Sequence, residues 1–310
     1  MSETSEMPPI RIGTRGSALA LVQARLAAAA LEAHGHATRL VTIETEGDRR
    51  APDTAWGEGA FVAAIERALL EGRVDVAVHS AKDVPTDEDP RLAIAAFLPR
   101  ADARDALVVR DGLAGTVDGL PSGARVGTDS PRRTAFLLAR RPDLTVRPLH
   151  GNVDTRLRRL DAGEADALVL ACAGLDRLGR GDRIAERLPV EDMPPAPGQG
   201  AIGLQVRRDD ADVRAAVAAA DDAPTRIAVE AERALLRAAG GGCRSPIGAF
   251  ADVDGARLTV LAGYAQPDGR EARVARWHGP SAAPVEVATE LHRRLWPVVA
   301  EPAVRTGVEP

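Results

Sequence analysis

From about residue 10 to residue 220, short apolar runs rich in Val and Ile alternate with longer stretches of helical period, the pattern of parallel-sheet α/β units. The strand candidates are Arg11–Gly13, Arg39–Ile43, Val74–His79, Leu92–Phe97, Ala106–Val109, Arg125–Gly127, Leu144–Arg147, Ala167–Leu170 and Ala201–Val206. Between them Ser17–Ala33, Ala60–Leu70, Arg132–Arg140 and Val153–Leu160 read as helices. In the second of these Phe61, Ile65, Ala68 and Leu69 form one apolar stripe able to pack on a sheet. Pro99–Arg104 and Met193–Gln199 are the strongest breaker clusters, so the chain is expected to cross there between two α/β domains. Two crossings mean that it leaves the first domain (8–100 plus 200–219), builds the second (104–195) and returns. After Asp221 the texture changes to a helix over Pro224–Ala239, three strand-like runs (Ala249–Val253, Leu258–Ala265, Ala272–His278) and a helix near Val285–Val299. A third domain, 223–310, is therefore expected to be α+β with a small antiparallel sheet.

Composition narrows what such a protein does. With 45% hydrophobic and 27% charged residues, the chain can bury real cores. No run reaches the roughly 18 to 20 apolar residues of a membrane span, so no membrane partner is expected. The opening MSETSEMPPI is acidic, the reverse of a secretory signal, and a cytoplasmic protein is expected. A net charge of -5 argues against a nucleic-acid partner. The two cysteines, Cys172 and Cys243, are too few for a disulfide framework and lack zinc-site spacing, so no metal site is expected. Lys82 is the only lysine, every other cationic chain being arginine, which makes its ammonium conspicuous.

Open α/β sheets bind ligands beyond the carboxyl ends of their strands. The polar clusters there are Gly13-Thr14-Arg15-Gly16-Ser17, His79-Ser80-Ala81-Lys82-Asp83, Gly127-Thr128-Asp129-Ser130-Pro131-Arg132-Arg133 and His150-Gly151-Asn152-Val153-Asp154-Thr155-Arg156. Ser130-Pro131 is a good N-cap and N1 pair, which puts Arg132 and Arg133 in a first turn where acids are preferred; an anion is expected to sit with them. The plain alternative is pairing with surface carboxylates. If Arg15, Arg132, Arg133, Arg156 and Arg177 converge, they favour a ligand with several carboxylates or phosphates. A GxxxxGK[ST] loop is missing, which disfavours a nucleoside triphosphate. Asp83, amid cations, is expected to stay ionised and to stabilise a cationic intermediate or relay a proton; the alternative is an exposed turn before Pro85. Cys172 reads as a core residue at an apolar strand end. Cys243, in a glycine-rich loop before Arg244, is an accessible thiol fit for covalent attachment or for ordinary solvent exposure. Glu46–Gly59 reads as a mobile loop near a functional edge, or as an ordinary surface loop.

In this order, IGTRGSALALVQA, VHSAKDVP, GTDSPRR, GNVDTR, ACAGLDRLG, PAPGQGAIG and GGCRSPIG resemble the motifs of the porphobilinogen deaminases, or hydroxymethylbilane synthases. The resemblance implies two periplasmic-binding-protein-like α/β domains flanking the active cleft, a third domain, and a monomer. It also implies a dipyrromethane cofactor tied by a thioether to Cys243. In that chemistry porphobilinogen loses ammonia to give an azafulvene cation, which the bound pyrrole chain attacks. Four condensations and a hydrolysis release hydroxymethylbilane.

By the same resemblance Asp83 is the catalytic carboxylate. Arg15, Ser17, Lys82, Arg132, Arg133, Arg156 and Arg177, with Thr128, Ser130 and Gln199, hold the acetate and propionate groups of cofactor and substrate. Phe61 and the Glu46–Gly59 loop correspond to an aromatic wall and a lid. The chain departs from the pattern at Glu58, where lysine is frequent, at His150, where many members carry arginine, and at Asp129 and Pro131. His150 is still a candidate donor to a carboxylate when protonated. The reading from another class is a soluble anion-binding or sensor protein on the same two-domain scaffold, which leaves Cys243 and the third domain without a use.

Overall fold

The computed structural model describes residues 8–44, 62–242 and 245–295. Cys243, Arg244, Phe61, Glu58 and the Glu46–Gly59 loop lie outside the described residues. The first sheet contains β1 (Ile10–Thr14), β2 (Thr38–Thr42), β3 (Val76–Ser80), β4 (Leu92–Phe97) and β10 (Ile202–Arg207), in the order β2-β1-β3-β10-β4. The second contains β5 (Asp105–Val109), β6 (Arg125–Gly127), β7 (Thr145–Arg147), β8 (Ala167–Ala171) and β9 (Glu186–Arg187), in the order β7-β6-β8-β5-β9. The two orders are the same once β6 is set on β1, β7 on β2, β8 on β3, β5 on β10 and β9 on β4.

Neither sheet is purely parallel, as the alternation alone suggested. β10 runs antiparallel to β3 and β4, and β5 runs antiparallel to β8 and β9. The reversed strand in each sheet is the one that arrives directly from the other sheet, without a helix to carry it back to the starting edge. Elsewhere helices make the return: α1 (Ala18–Ala33) between β1 and β2, α2 (Ala63–Leu70) between β2 and β3, α3 (Pro131–Arg140) between β6 and β7, and α4 (Val153–Asp161) between β7 and β8. Both faces of each sheet are covered. Ile12, Val76, Ile202 and Leu204 pack under α1 on one side of the first sheet, and Ile65, Leu69, Val74 and Leu92 pack on the other. Three elements beyond the expected set are α5 (Cys172–Arg177), β9 and α6 (Ala211–Ala218). α5 and β9 are too short to show a period, and α6 is Ala-rich with only Ala216 and Val217 buried.

The remaining unit has α7 (Ala223–Ala238), β11 (Ile247–Asp254), β12 (Arg257–Tyr264), β13 (Arg273–Pro280) and α8 (Pro284–Leu295). Its strands form an antiparallel sheet, β11-β12-β13, and Leu235, Ile247, Leu258, Val260 and Leu291 make the core between sheet and helices. This unit is fastened to both crossings. Glu232 of α7, fully buried, accepts hydrogen bonds from Arg100 Nη1 (2.6 Å) in the outward crossing and from the Gly198 amide (2.7 Å) in the return crossing. It also accepts from the Ala251 amide of β11 (2.7 Å). A buried carboxylate with this many donors is fully satisfied, and removing any partner leaves charge stranded. The result is a mixed α/β protein with two similar sheets and a C-terminal α+β unit, as the resemblance implied.

Candidate active site

The carboxyl ends of β1, β3, β6, β7 and β8 and the return crossing converge between the two sheets. There a cavity of about 110 Å³ is bordered by Ser80 and Lys82 from the first sheet, Arg133, Arg156 and Arg177 from the second, and Gly200 from the crossing. A tight backbone makes this convergence possible. Gly198 and Gly200 have φ of 76° and 87°, and a Cβ on Gly200 would stand 2.5 Å from the Ala101 carbonyl oxygen. The return crossing can therefore lie directly against the outward one and against the Lys82 amide.

After β3 the chain makes a single 3-10 turn, Ala81–Asp83. Gln23 of α1 donates to Ser80 Oγ (2.8 Å), and Lys82 Nζ donates to Gln199 Oε1 (3.2 Å). Dehydration in the crowded cleft, aided by the charge of Arg133, pulls the Lys82 ammonium down to about 8 against the opposing pull of Asp83 and Asp105. Asp83 is exposed beside Lys82 and does not itself border the cavity. Partial dehydration still raises its carboxyl above the ordinary range and outweighs Lys82 and Arg15, which pull it down. The shift is opposite to the one expected from the neighbouring cations alone: the cleft loses more by drying the carboxylate than it recovers by pairing it.

In the second sheet Ser130 caps α3 by accepting from the Arg133 amide (3.4 Å), with Pro131 at the first helical position. The anion expected beside Arg132 and Arg133 is part of the chain. Asp105, fully buried at the start of β5, takes Arg132 Nη1 on one oxygen and Arg133 Nη2 on the other, each at 2.7 Å. Arg132 Nη1 also donates to the Pro194 carbonyl and Arg133 Nη1 to that of Val169. Burial pushes the Asp105 carboxyl up, but the two guanidiniums outweigh it and hold the group well below the usual carboxylate range. Arg132 is 3% exposed and borders no part of the cavity, so its place is that of an internal strut. Arg133, 6% exposed, is braced in the same way but reaches the cavity wall.

Gln199, 1% exposed, donates to the Ala103 carbonyl and to Asp105 and accepts from Lys82, joining the first-sheet turn to the buried cluster. Thr128 is buried and accepts from the Ser130 amide, and Ser17 caps α1 by accepting from the Ala20 amide; both oxygens shape their own loops. Arg15 is half-buried at the end of β1, near enough to Asp83 to pull on its proton. Arg177 Nη2 donates to the Gly200 carbonyl (2.7 Å) and Arg156 Nη2 to Asp129 Oδ2 (2.6 Å); burial lowers both guanidiniums. Arg156 Nε is buried without a hydrogen-bond partner. His150 Nδ1 lies 3.0 Å from the other oxygen of Asp129. Cys172 opens α5 rather than ending a strand, and burial lifts its thiol to about 12, which leaves it inert.

Sequence reasoning singled out neither Asp105 nor Gln23, whereas Ser80 stood in the cluster His79–Asp83. Asp105 had no local signal, because an acid at the start of an apolar strand is ordinary. Its partners are 27 and 28 residues away.

Fold and cleft together define a two-sheet α/β protein that lines the junction of its sheets with cationic side chains and carries a third, antiparallel unit on its crossings. Among the described residues no helix is long and apolar enough to cross a membrane. The family description "Porphobilinogen deaminase, dipyromethane cofactor binding domain" matches residues 10–215, and "Porphobilinogen deaminase, C-terminal domain" matches residues 226–296. A porphobilinogen deaminase of Mycobacterium marinum is 54% identical over 245 residues, covering 79% of this chain and 77% of its own. One of Mycobacterium tuberculosis is 53% identical, covering 79% of each. Among solved structures, a periplasmic substrate-binding protein of an ABC transporter from Coxiella burnetii aligns over 72% of this chain and 94% of its own, at 15% identity and a TM-score of 0.43. The chain belongs to the porphobilinogen deaminase family. It is a transferase of tetrapyrrole biosynthesis and carries that family's dipyrromethane cofactor binding domain.

Proposed function

We propose that this chain is a hydroxymethylbilane synthase in which Asp83 is the catalytic carboxylate, Cys243 carries the cofactor, and Lys82, Arg15, Arg133, Arg156 and Arg177 hold pyrrole carboxylates. The observation that carries the assignment is the convergence of Lys82, Arg133, Arg156 and Arg177, from two sheets, on one cavity. A cleft this cationic is costly unless anions enter it. The cofactor fits these residues: each of its rings brings two carboxylates, and the buried Arg156 Nε is a donor still to be matched. Gly242, whose amide donates to Ser245 Oγ (2.9 Å), places the start of the cysteine loop between α7 and β11, on the unit fastened to the crossings. When bound, the dipyrromethane supplies the carbon nucleophile that primes the chain.

The protein's own part is electrostatic. As the C–N bond of porphobilinogen breaks and ammonia leaves with the bonding pair, positive charge remains on the pyrrole. A carboxylate at Asp83 stabilises that charge and accepts the pyrrole N–H. Lys82 neutralises a substrate carboxylate while it stays protonated. Arg156 and Arg177 grip carboxylates through forked hydrogen bonds. Gln199 positions Lys82. Ser17, Thr128, Ser130 and Arg132 support these groups from behind, and His150 acts on the same wall as Arg156. The domains run 8–100 plus 200–219, 104–195 and 223–310, and the protein works as a cytoplasmic monomer on porphobilinogen, with neither nucleic acid nor membrane as partner.

Intact-protein mass tests the reading. The purified chain should exceed its sequence mass by two pyrrole units, and Cys243→Ser should not. Protein that never gains pyrrole when supplied with porphobilinogen would leave only an anion-binding scaffold.

A further inference from the structure

Two of the positions at which this chain departs from the family pattern, Asp129 and His150, meet in the structure. They come from different loops, after β6 and after β7, and join a third residue, Arg156 of α4. Asp129 Oδ2 accepts from Arg156 Nη2 at 2.6 Å, and Asp129 Oδ1 faces His150 Nδ1 at 3.0 Å. All three side chains are about one-fifth to one-quarter exposed, at 24%, 21% and 20% for Asp129, Arg156 and His150. The cluster holds two polar atoms that are buried and unmatched: Arg156 Nε, and Asp129 Oδ1, for which the imidazole is close but not aligned as a hydrogen-bond donor. The neighbouring charges are Arg159, itself paired with Glu164 (2.8 Å), and Arg133, itself paired with Asp105. Arg159 of α4 donates to the His150 carbonyl oxygen (3.4 Å), and both Arg159 and Arg133 of α3 press on the Arg156 guanidinium.

The protonation of His150 sets the charge that a ligand meets at Arg156. With a neutral imidazole, Asp129 and Arg156 cancel, and the guanidinium is already spent on an internal carboxylate. A ligand carboxylate that approaches Arg156 then meets Asp129 as a competitor and a like charge. A proton on His150 gives Asp129 a second cationic partner, and the trio gains one net positive charge, which one entering carboxylate cancels. We propose that Asp129 and His150 form a proton-linked counter-ion pair that positions Arg156, so that a pyrrole carboxylate binds Arg156 together with uptake of one proton at His150. The inference rests on the reading of Arg156 as a carboxylate-binding residue of the synthase.

Its sign follows from linkage. Ligand binding raises the imidazole's proton affinity, so binding is tightest when His150 is already protonated and weakens as pH rises through the window between the free and bound states. One coupled proton weakens it by at most about tenfold per pH unit. Across the range of pH in which the holoenzyme stays folded, the KM for porphobilinogen should climb with pH in the parent while kcat follows a separate course.

The experiment measures kcat and KM across that range for the parent, His150→Arg and Asp129→Asn, all as cofactor-loaded enzyme. His150→Arg fixes the charge, so its KM should stay near the parent's acid value and lose this part of the pH slope. Asp129→Asn removes the competitor, so its KM should fall at the alkaline end and flatten likewise. A KM profile parallel to the parent's in the folded variants would overturn the inference while leaving the synthase reading intact. No pyrrole incorporation or turnover by the parent would overturn that reading, and this inference with it. Should Asp129→Asn fail to fold, His150→Arg alone decides.

Discussion

The two sheets share a strand order and treat charge in opposite ways. β1 ends in Gly13-Thr14 and its counterpart β6 ends at Gly127 with Thr128 next, and in both places the threonine is buried and a serine soon after caps the next helix. The residue after the threonine is Arg15 in the first sheet and Asp129 in the second. The second sheet matches its cations from within: Asp105 serves Arg132 and Arg133, and Asp129 serves Arg156. The first sheet leaves Lys82 and Asp83 side by side in a drying cleft, with proton affinities moved toward each other. One half is built as a finished electrostatic wall, the other as a pair of groups whose charge is costly until a ligand arrives. On the proposed reading the first half supplies the reactive pair, and the second is a braced wall that still offers Arg156 and Arg177 to ligand carboxylates.

The division breaks most visibly at Asp105. Asp105→Ala strands two buried guanidiniums and should cost about 3–5 kcal/mol of stability, read as a drop in the urea midpoint. The Asp105 carboxyl is held below its unfolded value, so its contribution is complete above the ordinary carboxylate range and is lost as pH falls toward the folded value. The gap between variant and parent should therefore narrow in strong acid. Asp83→Asn tests the other half. Loss of the charge should lower kcat by on the order of 10² to 10³. Because partial dehydration raises this carboxyl, its ionised form opposes folding at neutral pH, and the asparagine variant should melt at or above the parent temperature. A variant that loses stability along with activity would place Asp83 with Asp105, as a strut.

A smaller effect sharpens the comparison at Lys82. Its ammonium titrates near 8 in the free protein, so the KM for porphobilinogen should rise above that pH by at most about tenfold per unit. Lys82→Arg keeps its charge there and should lose that alkaline rise, at the expense of weaker binding at neutral pH, where a planar fork replaces a point charge. An unchanged alkaline limb would mean that Lys82 does not touch the substrate.

Much of this architecture is legible before any coordinates. The Val- and Ile-rich runs locate nearly every strand, because buried strands need them, and Ser-Pro before Arg132 marks the start of α3. What period and composition do not reveal is direction: nothing in Ala201–Val206 or Ala106–Val109 says that these two strands run against their neighbours, since direction depends on where the chain arrives from. The site divides in the same way. Helix-dipole reasoning located an anion beside Arg132 and Arg133 without showing that it was Asp105, because a counter-ion brought in by folding and one brought in by a ligand leave the same mark on the arginines. The sign at Asp83 was missed because sequence displays its cationic neighbours and hides the partial dehydration that the folded chain around it imposes.

The order of the strands has a consequence for synthesis. By the time Arg187 leaves the ribosome the second sheet has all five of its strands, whereas the first still lacks β10, which must enter between β3 and β4. The sheet begun first is thus completed after the second, with a vacant slot kept between two strands while nearly the whole second domain is made. Pairing across so long a separation is slow, so the nascent chain's exposed edges call for protection on the amino-terminal side.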